Sequence, residues 1–322
     1  MRILRRPAPA FAAIAIAALA AASPLRAQRA SLPALDSARL VTDLSILSAD
    51  SMEGRRVGTP GGARARAWLV KAIARAGLTP LGDSLQQHFS FAGRGGTMTN
   101  GVNLVAVLRG TKHRDRYIVA SAHYDHVGMR SPGVNGDTIY NGADDNASGT
   151  AALLAIATWC KAHPPENSII FAWFDAEESG DRGSHAFVEA PPVPLAKIVA
   201  NVNLDMVGRN AKGELYAAGG TPWPVMKPLI AATAAVAEVK LLAGHDSGGR
   251  GENWIQQSDQ GAFHDKGIPF VYFGVEDHPD YHKPSDEFSR IELGFYARAS
   301  RTVAEFIRRL DAGLETVAAT RH

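Results

Sequence analysis

Apolar positions along this 322-residue chain follow two rhythms. Residues 63–76 bring Ala67, Leu69, Val70, Ile73 and Ala74 near one face at helical spacing, and Gly77 closes the run, which predicts an amphipathic helix. Shorter β-rich runs occupy 103–108, 117–122, 168–174, 198–203 and 269–273. Several are apolar without alternation, the pattern of strands covered on both faces. Helical stretches at 147–162, 224–238, 261–266 and 291–310 lie among them. This alternation predicts an α/β fold, a three-layer helix–sheet–helix sandwich around a mixed, mostly parallel central sheet.

The first residues follow a different logic. Arg2, Arg5 and Arg6 precede an uncharged, alanine-rich run at 10–22, and small residues continue to Ala27. That order predicts a signal peptide over 1–27 and export to the periplasm or beyond. The run falls short of the roughly 20 apolar residues that a spanning helix needs, and Pro24 and Arg26 end it, so no stable membrane anchor is expected. The remainder, 28–322, is expected to form one domain with a lead-in at 28–60. The leader holds four of the 34 basic residues and none of the 32 acidic ones, which leaves the rest slightly acidic. A nucleic-acid partner is therefore not expected. Cys160 is the only cysteine, which excludes an intramolecular disulfide and a zinc site with two thiolates.

Candidate chemistry gathers at the downstream ends of the predicted strands, the edge where open α/β sheets bind ligands. His123 follows YIVASA, Glu177 and Glu178 follow IIFAWFDA, and Asp205 follows IVANVNL. Asp144 lies in the turn NGADDNASG (141–149), which leads into an alanine-rich helix, and His282 lies in DYHKPSD (280–286) beyond the last strand. Two imidazoles and four carboxylates would suit a pair of zinc ions about 3.5–4 Å apart, with five ligands and one free carboxylate for the proton of a bridging water. Taken singly each residue has a plainer reading: a satisfied polar histidine, a solvated glutamate turn, or a helix N-cap at the paired aspartates. Neither GxSxG nor HExxH occurs, which disfavours serine-hydrolase and HExxH-type metalloprotease chemistry.

The ordered segments SAHYDHVG (121–128), NGADDNASG (141–149), FDAEESGDRGS (174–184), NLDMVGR (203–209) and YHKPSDE (281–287) resemble the motifs of the co-catalytic di-zinc aminopeptidases, the family of secreted bacterial leucyl aminopeptidases and glutamate carboxypeptidase II. MEGRRVGTPGG (52–62) resembles the segment that precedes the catalytic domain in many members. The resemblance implies a zinc exopeptidase that acts on peptide substrates with two zinc ions. It implies that Asp144 bridges them, that Glu178 and His282 complete one site, that His123 and Asp205 complete the other, and that Glu177 is the general base. Tyr281 would donate to the tetrahedral oxyanion, and the peptide bond from Asp144 to Asp145 would be cis. Asp125 would accept the second imidazole N–H of His123, and Asp145 would hold the turn from outside the ligand set. Gln260 stands where many members carry histidine, and Asp181-Arg182 replaces an apolar pair, so the substrate pocket is expected to differ. A carboxypeptidase, a glutaminyl cyclase and a non-catalytic binding relative are the alternatives within this fold.

Overall fold

The computed structural model describes residues 32–93, 95–248 and 252–320. The expected signal peptide lies outside the described residues. In chain order the strands are β1 (Thr79–Pro80), β2 (Gln86–Ala92), β3 (Met98–Leu108), β4 (His113–His123), β5 (Gly128–Val134), β6 (Asp137–Tyr140), β7 (Asn167–Phe174), β8 (Ile198–Leu204), β9 (Glu214–Ala218), β10 (Lys240–Ala243) and β11 (Phe270–Gly274). The helices are α1 (Ser37–Leu47), α2 (Pro60–Arg75), α3 (Gly149–Ala162), α4 (Arg182–Glu189), α5 (Lys227–Ala234), α6 (Gln260–Asp265) and α7 (Leu293–Ala318).

Nine strands form one mixed sheet in the order β1-β3-β7-β4-β8-β11-β9-β10, with β2 also paired to β3. The expected helix–sheet–helix sandwich with a mixed sheet is present, its parallel pairs lying at the centre and at the β9–β10 edge. The β7–β4, β4–β8 and β8–β11 pairings are parallel, whereas β1–β3, β2–β3, β3–β7 and β9–β11 are antiparallel. The short link from β2 to β3 suffices for an antiparallel hairpin, while the parallel strands need longer crossovers such as α3.

Alternate residues of the central strands feed opposite cores. Ile118, Ala120 and Ala122 of β4 with Ile169, Phe171 and Trp173 of β7 join the core shared with α1, α2, α3 and α7. Val119 of β4 with Ile170, Ala172 and Phe174 of β7 join Phe187 of α4 and Phe263 of α6 on the other face. The period-2 geometry of a strand therefore explains why these runs are apolar at every position. The lead-in contributes α1, capped where the Asp36 side chain accepts from the Arg39 N–H at 3.0 Å. The helix expected over 224–238 is shorter: a 3₁₀ turn covers Pro224–Met226 and α5 starts at Lys227, which puts Pro228 in the first turn, where proline is tolerated. The last helix runs to Ala318, past the expected end at 310.

This topology sets the carboxyl ends of β7, β4, β8 and β11 side by side on one edge. His123 closes β4 opposite Phe174 of β7, and Asp205 follows β8 directly.

Candidate metal centre

At that edge the side chains of His123, His126, Asp145, Glu177, Glu178, Asp205 and His282 converge. His123 Nε2 lies 3.3 Å from Asp145 Oδ1 and 3.3 Å from Asp205 Oδ1. His282 Nε2 lies 3.0 Å from Asp145 Oδ2 and 3.1 Å from Glu178 Oε1. His126 Nδ1 lies 2.7 Å from Glu178 Oε1 and 3.5 Å from Asp145 Oδ2. Two donor groups result, His123–Asp145–Asp205 and His126–Asp145–Glu178–His282, and each has its ligand atoms within 4.8 Å of one another. Asp145 belongs to both and turns one carboxylate oxygen toward each. Glu177 stands beside the first group, with Oε2 3.9 Å from His123 Nε2.

The structure corrects the aspartate expected at the bridge. Asp144 Oδ1 accepts from the Gly208 N–H at 2.6 Å and from Ser148 Oγ at 3.0 Å, and Asp144 Oδ2 lies 3.2 Å from His278 Nε2, so this carboxylate is turned away from the cluster. The reason is local. Asp145 has φ −102° and ψ 99°, an extended conformation that sends neighbouring side chains to opposite sides. Asp145 therefore occupies the shared position rather than a supporting one. The cis peptide bond likewise lies between Asp145 and Asn146, not between Asp144 and Asp145.

Asp125 is also placed differently in detail. Its backbone carbonyl lies 3.1 Å from His123 Nδ1, its carboxylate Oδ1 is 3.6 Å away, and that same Oδ1 accepts from the Glu177 N–H at 3.0 Å. The residue thus couples the end of β4 to the glutamate turn. Tyr281 stacks on His282 with ring centroids 3.9 Å apart, and it faces a small recess that also meets Asp145, Glu177 and Asp205. Gln260 is buried behind this recess, where its side chain donates to the Trp254 carbonyl at 2.6 Å and accepts from Asn203 at 3.0 Å.

Several contributors escaped sequence reasoning. His126 was visible as a second histidine in His-Tyr-Asp-His, three residues after His123. Asp286 accepts from the backbone N–H groups of both Asp144 and Asp145 at 3.0–3.1 Å, fixing the turn from the far side. Arg55 is fully buried and donates to the carbonyls of Leu47, Tyr124, Asn141 and Gly142 at 2.6–2.9 Å and to that of Asp145 at 3.4 Å. Such backbone partners leave no sequence signature.

Electrostatics set the demand of the site. Asp125, Asp145, Glu177, Glu178 and Asp205 place five carboxyl groups around three imidazoles. Burial raises the Glu177 carboxyl well above its usual range, with the neighbouring Asp205 adding to the effect. Burial alone would do the same to Asp145, but His126, His123 and His282 overcome it and hold that carboxyl well below the usual range. His126 is fully buried: its Nδ1 faces only carboxylate oxygens, Glu178 Oε1 at 2.7 Å and Asp145 Oδ2 at 3.5 Å, and its Nε2 has no hydrogen-bond partner among the described residues. Buried polar atoms left this way are costly unless something satisfies them. Imidazole nitrogen and carboxylate oxygen donors without thiolate suit zinc and related divalent ions, so the residues present fit a metal.

Peptidase family M28 matches residues 103–307, and the chain belongs to that family. Among curated relatives, the aminopeptidase YwaD of Bacillus subtilis is 32% identical over 191 residues, covering 56% of this chain and 38% of the relative. An aminopeptidase of Pseudomonas aeruginosa is 33% identical over 132 residues, covering 40% of this chain and 23% of the relative. The chain thus spans well under half the length of these relatives. Among solved structures, a zinc aminopeptidase from Bacillus subtilis superposes with a TM-score of 0.70 at 18% identity, covering 86% of this chain and 96% of the other. Porphyromonas gingivalis glutaminyl cyclase gives a TM-score of 0.70 at 20% identity, covering 86% and 99%. These likenesses establish the fold.

Proposed function

We propose that this protein is an exported, zinc-dependent aminopeptidase that removes N-terminal residues from peptides, with one catalytic domain over 28–322 preceded by a signal peptide over 1–27. The observation that carries the reading is Asp145, which turns one oxygen toward each donor group while Glu177 stands beside them. His123, Asp145 and Asp205 would hold one ion, and His126, Asp145, Glu178 and His282 the other. Bound there, two zinc ions would supply Lewis acidity toward the scissile carbonyl and acidify a water molecule.

The protein's own groups account for the remaining steps. Glu177 accepts the proton of the attacking water as the tetrahedral centre forms, and returns it to the amine nitrogen as the C–N bond breaks. Its buried setting, which raises its proton affinity, suits it to hold that proton between the two steps. Tyr281 keeps its phenolic proton, because burial raises its pKa further, and can donate it to the oxyanion. The recess bounded by Met206, Trp254, Tyr272, Val275 and Tyr281 receives the first side chain. Among the described residues no helix is long and apolar enough to cross a membrane.

Glutaminyl cyclase is the second reading, favoured by the fold likeness to such enzymes. Two complete donor groups favour the dinuclear peptidase over a single-metal cyclase. The test is a panel of peptides with free and blocked N-termini followed by mass spectrometry. Loss of one residue from free N-termini alone supports the aminopeptidase. Ammonia release with cyclisation of N-terminal glutamine would establish the cyclase, and trimming from the other end a carboxypeptidase.

A further inference from the structure

Two hollows meet at the metal centre, and they differ in size and charge. The recess beside Glu177 has a cavity volume of about 50 Å³. On the other side, past His126 and Glu178, lies an open cleft of about 930 Å³ whose outer wall carries Arg56, Arg130 and Arg182. We propose that this cleft is a carboxylate-binding subsite for the leaving part of the peptide, so that the enzyme favours short or acidic peptides. This rests on the aminopeptidase reading, which places the first residue in the small recess and so sends the rest of the substrate into the cleft.

All three arginines are exposed, two of them with the guanidinium beside an aromatic ring and the third with its stem against a glycine. Arg182 donates Nε–H to the Ser179 carbonyl at 3.2 Å, and its Cζ stands 5.9 Å from the Phe91 ring centre. Arg130 lies over Tyr140 with Cζ 4.9 Å from the ring centre. The stem of Arg56 lies against Gly128, where an added Cβ would come within 2.7 Å of Arg56 Cβ. Gly128 also has φ +86°, so glycine is doubly required there. A guanidinium beside an aromatic ring is positioned by it and keeps N–H donors for a further partner.

Among the described residues none of these three arginines takes part in an ion pair, whereas nine other ion pairs engage lysines or arginines at the surface and elsewhere. The acids that face the cleft, Asp125 and Glu178, lie at its inner end, the first bonded to the Glu177 N–H and the second among the metal donors. The outer cleft therefore presents unneutralised positive charge in planar forks, the geometry that takes carboxylates bidentately. A volume of this size accommodates a few residues of peptide.

Two sources could supply the carboxylate, the C-terminus of a short peptide or an acidic side chain. The experiment compares Leu-Ala with Leu-Ala-amide for the first, and Leu-Glu-amide with Leu-Gln-amide for the second, using zinc-loaded protein. At least one carboxylate form should show a KM lower by about tenfold, the size expected of one charge-assisted contact. In Arg56→Gln/Arg182→Gln the ratio between the paired substrates should fall toward one, with the change in KM rather than kcat. Binding is read separately by calorimetry on Glu177→Gln protein. Equal affinities for the paired peptides there, with ready cleavage of the amides by wild type, would overturn the subsite and leave the aminopeptidase standing. Carboxylate-selective binding without turnover of any peptide by wild type would do the reverse.

Discussion

Arg55 offers the sharpest test of how the fold presents its metal ligands. Its guanidinium is wholly buried and donates to carbonyls on three separated stretches: Leu47 at the end of α1, Tyr124 beside His123, and the turn holding Asn141, Gly142 and Asp145. Burial lowers its pKa to about 10, offset by Asp145 and Asp286, so it stays charged at neutral pH. Arg55→Met fills similar space but leaves those carbonyls without donors. Hydrogen bonds to a charged group are worth about 1.5–3 kcal/mol each, but the bonds of one network are not additive, so their sum overstates the loss. Removing one member of a buried charged network costs about 3–5 kcal/mol. At about 2 °C per kcal/mol for a chain of this size, Tm should fall by about 6–10 °C. Zinc affinity should also fall by about 10–100-fold, the usual cost of losing a partner that orients a ligand. Thermal unfolding followed by circular dichroism on metal-free protein isolates the first effect, and competition with a chelator measures the second. A Tm within 2 °C of wild type and unchanged zinc affinity would refute the clamp.

Other variants probe the site directly. Glu177→Gln should lower turnover by about 10²–10⁴-fold while zinc content by elemental analysis stays at the wild-type level; near-normal turnover would remove Glu177 from the proton transfer. His126→Ala should weaken one ion by more than the roughly 10–100-fold that an outer partner costs, and spare the other, as read from stepwise zinc release to a chelator; an unchanged release profile would exclude the imidazole as a ligand. Burial pushes the Cys160 thiol up to about 12, so native protein at pH 8 should resist a disulfide thiol reagent and react with one equivalent only when denatured.

The central strands were legible because each carries apolar residues toward both cores, as β7 does with Phe171 on one side and Phe174 on the other. The edges were not. In β2, Gln-Gln-His-Phe-Ser-Phe-Ala lies half exposed beside β3, and no continuous apolar run marks it. The β5–β6 hairpin is largely exposed and carries Pro132 and Gly133, which read as loop. For the centre, the motifs located every turn that supplies a donor. They pointed to Asp144 at the shared position where the structure puts Asp145, because that choice rests on one extended residue and on contacts from Gly208 and Asp286, both distant along the chain. Arg55 escaped for a similar reason, since its partners are carbonyls that every residue possesses.

One aspartate, Asp145, is expected to serve both metal sites. Zinc content per chain, measured by elemental analysis after exhaustive dialysis, tests it in wild type, Asp145→Asn and Asp144→Asn side by side. Wild type should hold two zinc ions. Asp145→Asn should lose affinity at both sites together, while Asp144→Asn, whose amide oxygen can still accept from the Gly208 N–H, should retain both. Full occupancy in Asp145→Asn, with loss of both ions in Asp144→Asn, would instead assign the bridge to Asp144.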